Sequence, residues 1–117
     1  MDTETLDGIA KIIIDLTELL GALRTATVPG KPWQRQLLRD LGKADAQLQV
    51  LRMTIAMNRH DGEIRAAAQS LDATLAASAT DVSRGRADQE ARAAMRLLAA
   101  LARELKTRLL ARSSYAD

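Results

Sequence analysis

Four basic residues in the last third of the chain share one face of a predicted helix: Arg92, Arg96, Arg103 and Lys106. At about 100° per residue they fall within about 80° of one another, roughly opposite the leucines at positions 98, 101, 105 and 109. The row is about 21 Å long and could follow a nucleic-acid phosphate backbone. The pattern is more typical of a solvated face that pairs with acids of neighbouring helices, such as Asp15 and Glu18, and an acidic protein partner is the third interpretation.

The distribution of charge allows a basic surface but does not require one. Residues 1–23 hold five acids and one base, a local charge of −4, whereas residues 24–117 hold sixteen bases and ten acids, a local charge of +6. Single-stranded nucleic acids are usually bound by stacking aromatic rings. Because only Trp33 and Tyr115 are available, we expect any nucleic-acid binding to use backbone contacts and to be indifferent to sequence.

Catalytic chemistry is not indicated by any motif. The single histidine, His60, lies in the sequence Asn-Arg-His-Asp-Gly, which is typical of a surface turn, and there is no cysteine, no Glu-x-x-His pair and no Gly-rich phosphate loop. We therefore expect no enzyme activity, no catalytic residue, no metal site and no cofactor. A small-molecule site inside the fold is the weaker alternative.

The elements that must position these residues are helices. Alanine, leucine and arginine dominate the composition, and valine, isoleucine and threonine are sparse after residue 30, which favours an all-α fold. We predict one domain over residues 1–112, an antiparallel bundle of four helices at about 3–24, 32–59, 62–79 and 86–112. Three long helices are the alternative, and residues 113–117 are expected to be a disordered tail.

Each predicted helix carries apolar residues at alternating spacings of three and four, which places them on one buried face. In the first helix these are Leu6, Ile9, Ile13, Leu16, Leu20 and Leu23; in the second, Leu37, Leu41, Ala44, Leu48, Leu51 and Ile55. In the third they are Ile64, Ala68, Leu71, Leu75 and Ala79; in the fourth, Ala91, Ala94, Leu98, Leu101, Leu105 and Leu109. Trp33 is expected to cover one end of this core.

Turn signals separate the helices. Pro29-Gly30 predicts the first turn, and Pro32 suits the first turn of the second helix. In the next turn, either Gly62 ends the second helix or Asp61 caps the third. Gly42 lies inside the second helix, where it costs about 1 kcal/mol relative to alanine; a close helix–helix contact explains it better than a hinge.

The helices carry more apolar residues than one buried face each requires. The surplus forms a possible association surface, Ile12, Ile14, Leu19, Met53 and Met57. For Met53 and Met57 the spacing favours packing against a third helix, with a docking surface for another protein as the alternative. The leading hypothesis is therefore a non-enzymatic protein that acts as a homo-oligomer or as an accessory subunit of a larger complex. The alternative is a nucleic-acid-backbone binder that uses the basic face.

The sequence also predicts where the protein works. Asp2, Glu4 and Asp7 stand where a secretory signal would be basic, and the apolar run from Ile9 to Ile14 is short and contains Lys11. We therefore expect no secretory signal and no membrane span, and a cytoplasmic location.

Overall fold

The computed structural model of the chain describes the backbone of residues 3–116 and the side chains of residues 6–111. The described chain forms four helices, α1 (Thr3–Ala26), α2 (Pro32–Ala56), α3 (Asp61–Arg84) and α4 (Gln89–Ala116), with no strand. The prediction of an all-α four-helix bundle is confirmed, and the three-helix alternative is wrong.

The four helices lie at the corners of a square. In the described part of the chain α1 packs against α2 and α4, α3 packs against α2 and α4, and the diagonal pairs do not touch. Because the connections are only four or five residues long, sequential neighbours run antiparallel. The bundle measures 47 × 20 × 20 Å, and its α1/α2 side lies opposite its α3/α4 side.

The core lies along the bundle axis and consists of leucine, isoleucine, alanine, valine and methionine side chains. The predicted face of α2 is confirmed, with Ile55 at its partly buried edge. Trp33 is half-buried and packs against the end of the core, as predicted.

The predicted face of α1 needs one correction. Leu6 is exposed, and Ile12, which was predicted to be surplus, is buried. The reason is angular: at about 100° per residue Ile12 lies within about 40° of the fully buried Leu16, whereas Leu6 lies about 80° away. Ile13 and Leu19 flank the buried face and pack against its edges.

Helix α3 is longer than predicted, because it ends at Arg84 rather than near residue 79. Ser78 and Val82 continue the buried face of Leu75 at spacings of three and four. The Ser78 hydroxyl donates to Asp40 Oδ2 of α2 at 3.0 Å, so the one buried polar side chain among the described residues has a partner.

Helix α4 begins at Gln89, three residues later than predicted. The carboxylate of Asp88 accepts a hydrogen bond from the backbone N–H of Ala91 at 2.8 Å and caps the helix there. The buried face includes Met95 and Ala102, and Ala94 and Leu101 lie at its edge. The backbone continues as helix to Ala116, where the sequence predicted a disordered tail from residue 113.

The turn between α2 and α3 also differs from the prediction. Helix α2 ends at Ala56, and His60 caps α3 by accepting the backbone N–H of Glu63 at its Nδ1, at 3.4 Å. Asp61 is the first helical residue, so neither capping by Asp61 nor termination at Gly62 occurs. Asn58 has a φ of 53°, a left-handed conformation that asparagine tolerates better than most residues.

Asn58→Val is expected to lower the free energy of unfolding by about 1 kcal/mol, because a β-branched side chain is strained at positive φ. Asn58→Gly, which removes the strain, is the control and should be neutral or stabilising. Urea unfolding followed by far-ultraviolet circular dichroism measures both. Equal stability of the two variants would show that this residue does not need the left-handed conformation.

Candidate interaction surfaces

The predicted basic face of α4 is turned towards α3. Lys106 Nζ forms an ion pair with Asp72 Oδ2 of α3 at 2.9 Å, and both side chains are more than two-thirds buried. Arg92 Nη2 donates to the carbonyl oxygen of Gly85, just beyond the end of α3, at 2.8 Å. Two of the four cations therefore help to hold α3 and α4 together.

The other two cations, Arg96 and Arg103, remain exposed. They lie on the same side of α4 as Arg92 and Lys106, since all four are separated by whole turns. Neither guanidinium group forms an ion pair or a hydrogen bond with another described residue. Their guanidinium groups are free to bind an anion.

One interpretation of the sequence paired this face with the acids of α1, but they are not its partners in the structure. Asp15 pairs within its own helix, with Lys11 Nζ at 3.2 Å. Helix α1 packs on a different side of α4, where the Arg108 guanidinium lies next to Gly8. Glu18 is exposed on α1 and likewise meets none of the four cations.

A fifth cation belongs to this surface and was missed from the sequence. Arg65 lies two turns before Asp72 on α3, so it shares the side of α3 that faces α4. Its side chain is exposed and has no carboxylate partner among the described residues. We call the surface formed by Arg65, Arg92, Arg96, Arg103 and Lys106 the basic groove.

A second surface, on α1 and α2, is apolar. Ile14, Met53 and Met57 are 55%, 60% and 61% exposed, and Leu6 and Val50 are exposed as well. We call Leu6, Ile14, Met53 and Met57 the apolar face, because Val50 lines the groove between α2 and α3 instead. Of the five residues predicted for association, Ile12 lies in the core, so the prediction is wrong for that residue. Leu19 is half-buried against the core.

The two helices bring the apolar face together at one end of the bundle. The ion pair between Arg24 Nη1 and Asp45 Oδ2, at 3.3 Å, identifies the sides of α1 and α2 that meet. Because the helices are antiparallel, the first half of α1, with Leu6 and Ile14, runs beside the second half of α2, with Met53. Packing of Met53 and Met57 against a third helix, the other reading of the sequence, does not occur among the described residues.

Two glycines lie on the same side of the bundle as the apolar face. Gly21 is one turn before Arg24, and Gly42 is one turn before Asp45, so both are near the α1/α2 boundary. A Cβ at either position would meet nothing within 4 Å. Close helix–helix packing therefore does not explain Gly42 in this fold, contrary to the expectation.

Other candidate sites are surface features. Two grooves lie between α2 and α3, one of about 480 Å³ that includes Val50 and Glu63 and one of about 400 Å³ beside Trp33. His60 is exposed and lies 3.2 Å from Glu63 through Nε2, within the helix cap. In the described part of the chain no three His, Asp or Glu side chains are arranged to hold a metal ion.

None of the helices formed by residues 3–116 combines the length and hydrophobicity needed to cross a bilayer. Comparisons with protein families, with curated proteins and with solved structures found no match for this chain.

Proposed function

We propose that this is a non-enzymatic protein that works by association through the apolar face, as a homo-oligomer or as an accessory subunit of a larger complex in the cytoplasm. The observation that carries the proposal is the exposure of Ile14, Met53 and Met57 at one end of the α1/α2 side. Exposed apolar side chains that are grouped rather than scattered mark association surfaces in water-soluble bundles. Methionine is frequent at such surfaces because its flexible side chain adapts to a partner.

The chemistry around the apolar face supports the same proposal. Gly21 and Gly42 leave open space on the same side of the bundle, two turns from Ile14 and three turns from Met53 along their helices, and each costs about 1 kcal/mol relative to alanine in a helix. Packing within the chain does not offset this cost, whereas a partner that approaches the backbone closely would use the space. The ion pairs of these helices, Lys11 with Asp15 and Arg24 with Asp45, are satisfied within the chain, whereas the exposed Asp7 and Arg52 form no ion pair among the described residues.

Self-association is the form of this proposal that a mass measurement tests directly. Sedimentation equilibrium from about 10 µM to about 1 mM should show an average mass that rises above the 12.7 kDa of one chain. Ile14→Ser with Met53→Ser is expected to weaken self-association at least about tenfold, since each change removes apolar area that a second copy would bury.

The chain offers a matched control in Val28→Ser with Leu97→Ser. These side chains are 65% and 52% exposed, like those of the test pair, but Val28 lies in the connection between α1 and α2 and Leu97 lies on α4. The control should associate like the wild type. A wild-type chain that stays monomeric at about 1 mM, or a control that dissociates as readily as the test pair, would contradict self-association through this face.

A further inference from the structure

The basic groove concentrates positive charge on the side of the bundle opposite the apolar face. Three acids lie on this side as well: Asp72 is paired with Lys106, Asp61 lies one turn before Arg65, and Asp88 lies one turn before Arg92. Five cations against three acids leave a net positive charge, and Arg96 and Arg103 have no acid one turn away on α4. The remaining acids of α3 and α4 lie on other sides of these helices. Glu104 pairs with Arg108 on the α1 side of α4, and Glu63 and Asp81 line the two grooves on the α2 side of α3.

The groove is long enough for an extended polyanion. On α4 it runs from Arg92 to Lys106, about 21 Å at 1.5 Å per residue. The ion pair with Lys106 places Asp72 beside the end of this row. Because α3 runs antiparallel to α4, Arg65, seven residues before Asp72, lies about 10 Å beyond Lys106. The full row of about 31 Å matches about nine base pairs at 3.4 Å each.

Most of the surface between these cations is made of small side chains, and the exception is the half-buried Leu110, one turn after Lys106 on α4. Ala76 and Ala79 on α3 and Ala99 on α4 lie on the same sides of their helices as the groove residues, by whole-turn spacing from Asp72 and Arg103. Of the large exposed apolar side chains in the described part of the chain, α3 carries none and α4 carries Leu97, on the side away from α3. Protein partners usually bind through aromatic, methionine or other apolar anchors, so the groove suits a polyanionic backbone better than an acidic protein.

The occupant is also better matched by a duplex than by a single strand. Single-strand binding relies on aromatic rings that stack on unpaired bases, whereas duplex backbones are bound by cations alone. Trp33, the one aromatic side chain among residues 6–111, is half-buried on α2, and α2 does not contact α4.

We propose that the basic groove binds the phosphate backbone of a nucleic-acid duplex without sequence preference. Arg65, Arg96 and Arg103 make the phosphate contacts, and Lys106 and Arg92 hold α3 and α4 at the spacing that presents them. Three contacts predict that the logarithm of the binding constant falls with the logarithm of salt concentration with a slope of about −2.7. This site is independent of the association proposed for the apolar face.

The test is a fluorescence-anisotropy titration of a labelled DNA duplex, a single strand of the same length and a labelled polyglutamate peptide, at salt concentrations from about 50 to 200 mM. Arg96→Gln with Arg103→Gln should weaken duplex binding about tenfold or more and bring the slope to about −0.9. Arg65→Gln should change the slope to about −1.8, and Arg96→Lys with Arg103→Lys should keep it near −2.7.

Arg39→Gln with Lys43→Gln is the matched control, because it removes two exposed cations from α2, which does not contact α4. It should leave the slope unchanged. Circular dichroism of every variant confirms that a loss of binding is not a loss of fold. The proposal is overturned if the duplex does not bind at low salt, if the control pair weakens binding as much as the α4 pair, or if the single strand or the peptide binds more tightly than the duplex.

Discussion

Leu98→Ala is expected to lower the free energy of unfolding by about 2.7–5 kcal/mol, a large share of the 5–15 kcal/mol typical of a domain. Leu98 is fully buried at the middle of α4. Its buried neighbours on the same helix include Ala91 and Ala102, which are too small to fill the cavity that the substitution leaves.

The adjacent residue provides the control for this experiment. Leu97 has the same side chain on the same helix but is 52% exposed, so Leu97→Ala should change stability by less than about 0.5 kcal/mol. Urea unfolding followed by circular dichroism measures both variants. Equal losses for the two would mean that α4 is rotated from the orientation described, and the basic groove would then face a different helix.

Gly21→Ala combined with Gly42→Ala is expected to raise the free energy of unfolding of the monomer by about 1.5–2 kcal/mol. Each glycine lies inside a helix, where alanine is favoured by about 0.8–1.0 kcal/mol, and neither new methyl group meets an atom within 4 Å. Thermal and urea unfolding at a concentration where the chain is monomeric provide the measurement.

Gly8→Ala is the comparison for the glycine pair. Its new methyl group would meet the guanidinium of Arg108, which must move away. Gly8→Ala should therefore gain less stability than Gly21→Ala or Gly42→Ala alone. Failure of the Gly21 and Gly42 variants to gain stability in the monomer would show that the fold does not leave open space at these positions. A gain in the monomer together with weaker self-association would make those glycines part of a contact between molecules.

The fold could be predicted from the sequence because its apolar spacing is regular and its turns are marked. Helix α2 shows this best, since its buried residues from Leu37 to Leu51 follow spacings of three and four without interruption. The end of α3 was predicted too early because Thr80, Asp81 and Ser83 are typical of loops. Tertiary packing overrides that local preference, and the positions of Ser78 and Val82 were the available signal.

The candidate surfaces were less predictable, because they depend on which helices become neighbours. The spacing along α4 placed its four cations together, but it could not show that Lys106 faces an acid of α3 or that Arg65 joins the groove. On α1, Ile12 and Ile14 are equally apolar, and only the orientation of the helix makes one buried and the other exposed. Contacts between helices, rather than periodicity within one, decide such cases.

The placement of the two surfaces on opposite sides of a square bundle has a consequence for valency. Two copies joined through their α1/α2 sides would carry their α3/α4 sides on the outside, pointing in opposite directions and about two bundle widths of 20 Å apart. Such a dimer would bind two separate duplex segments rather than one, and would hold them at a fixed separation. Dimerisation would then bridge nucleic acids instead of raising the affinity for a single site.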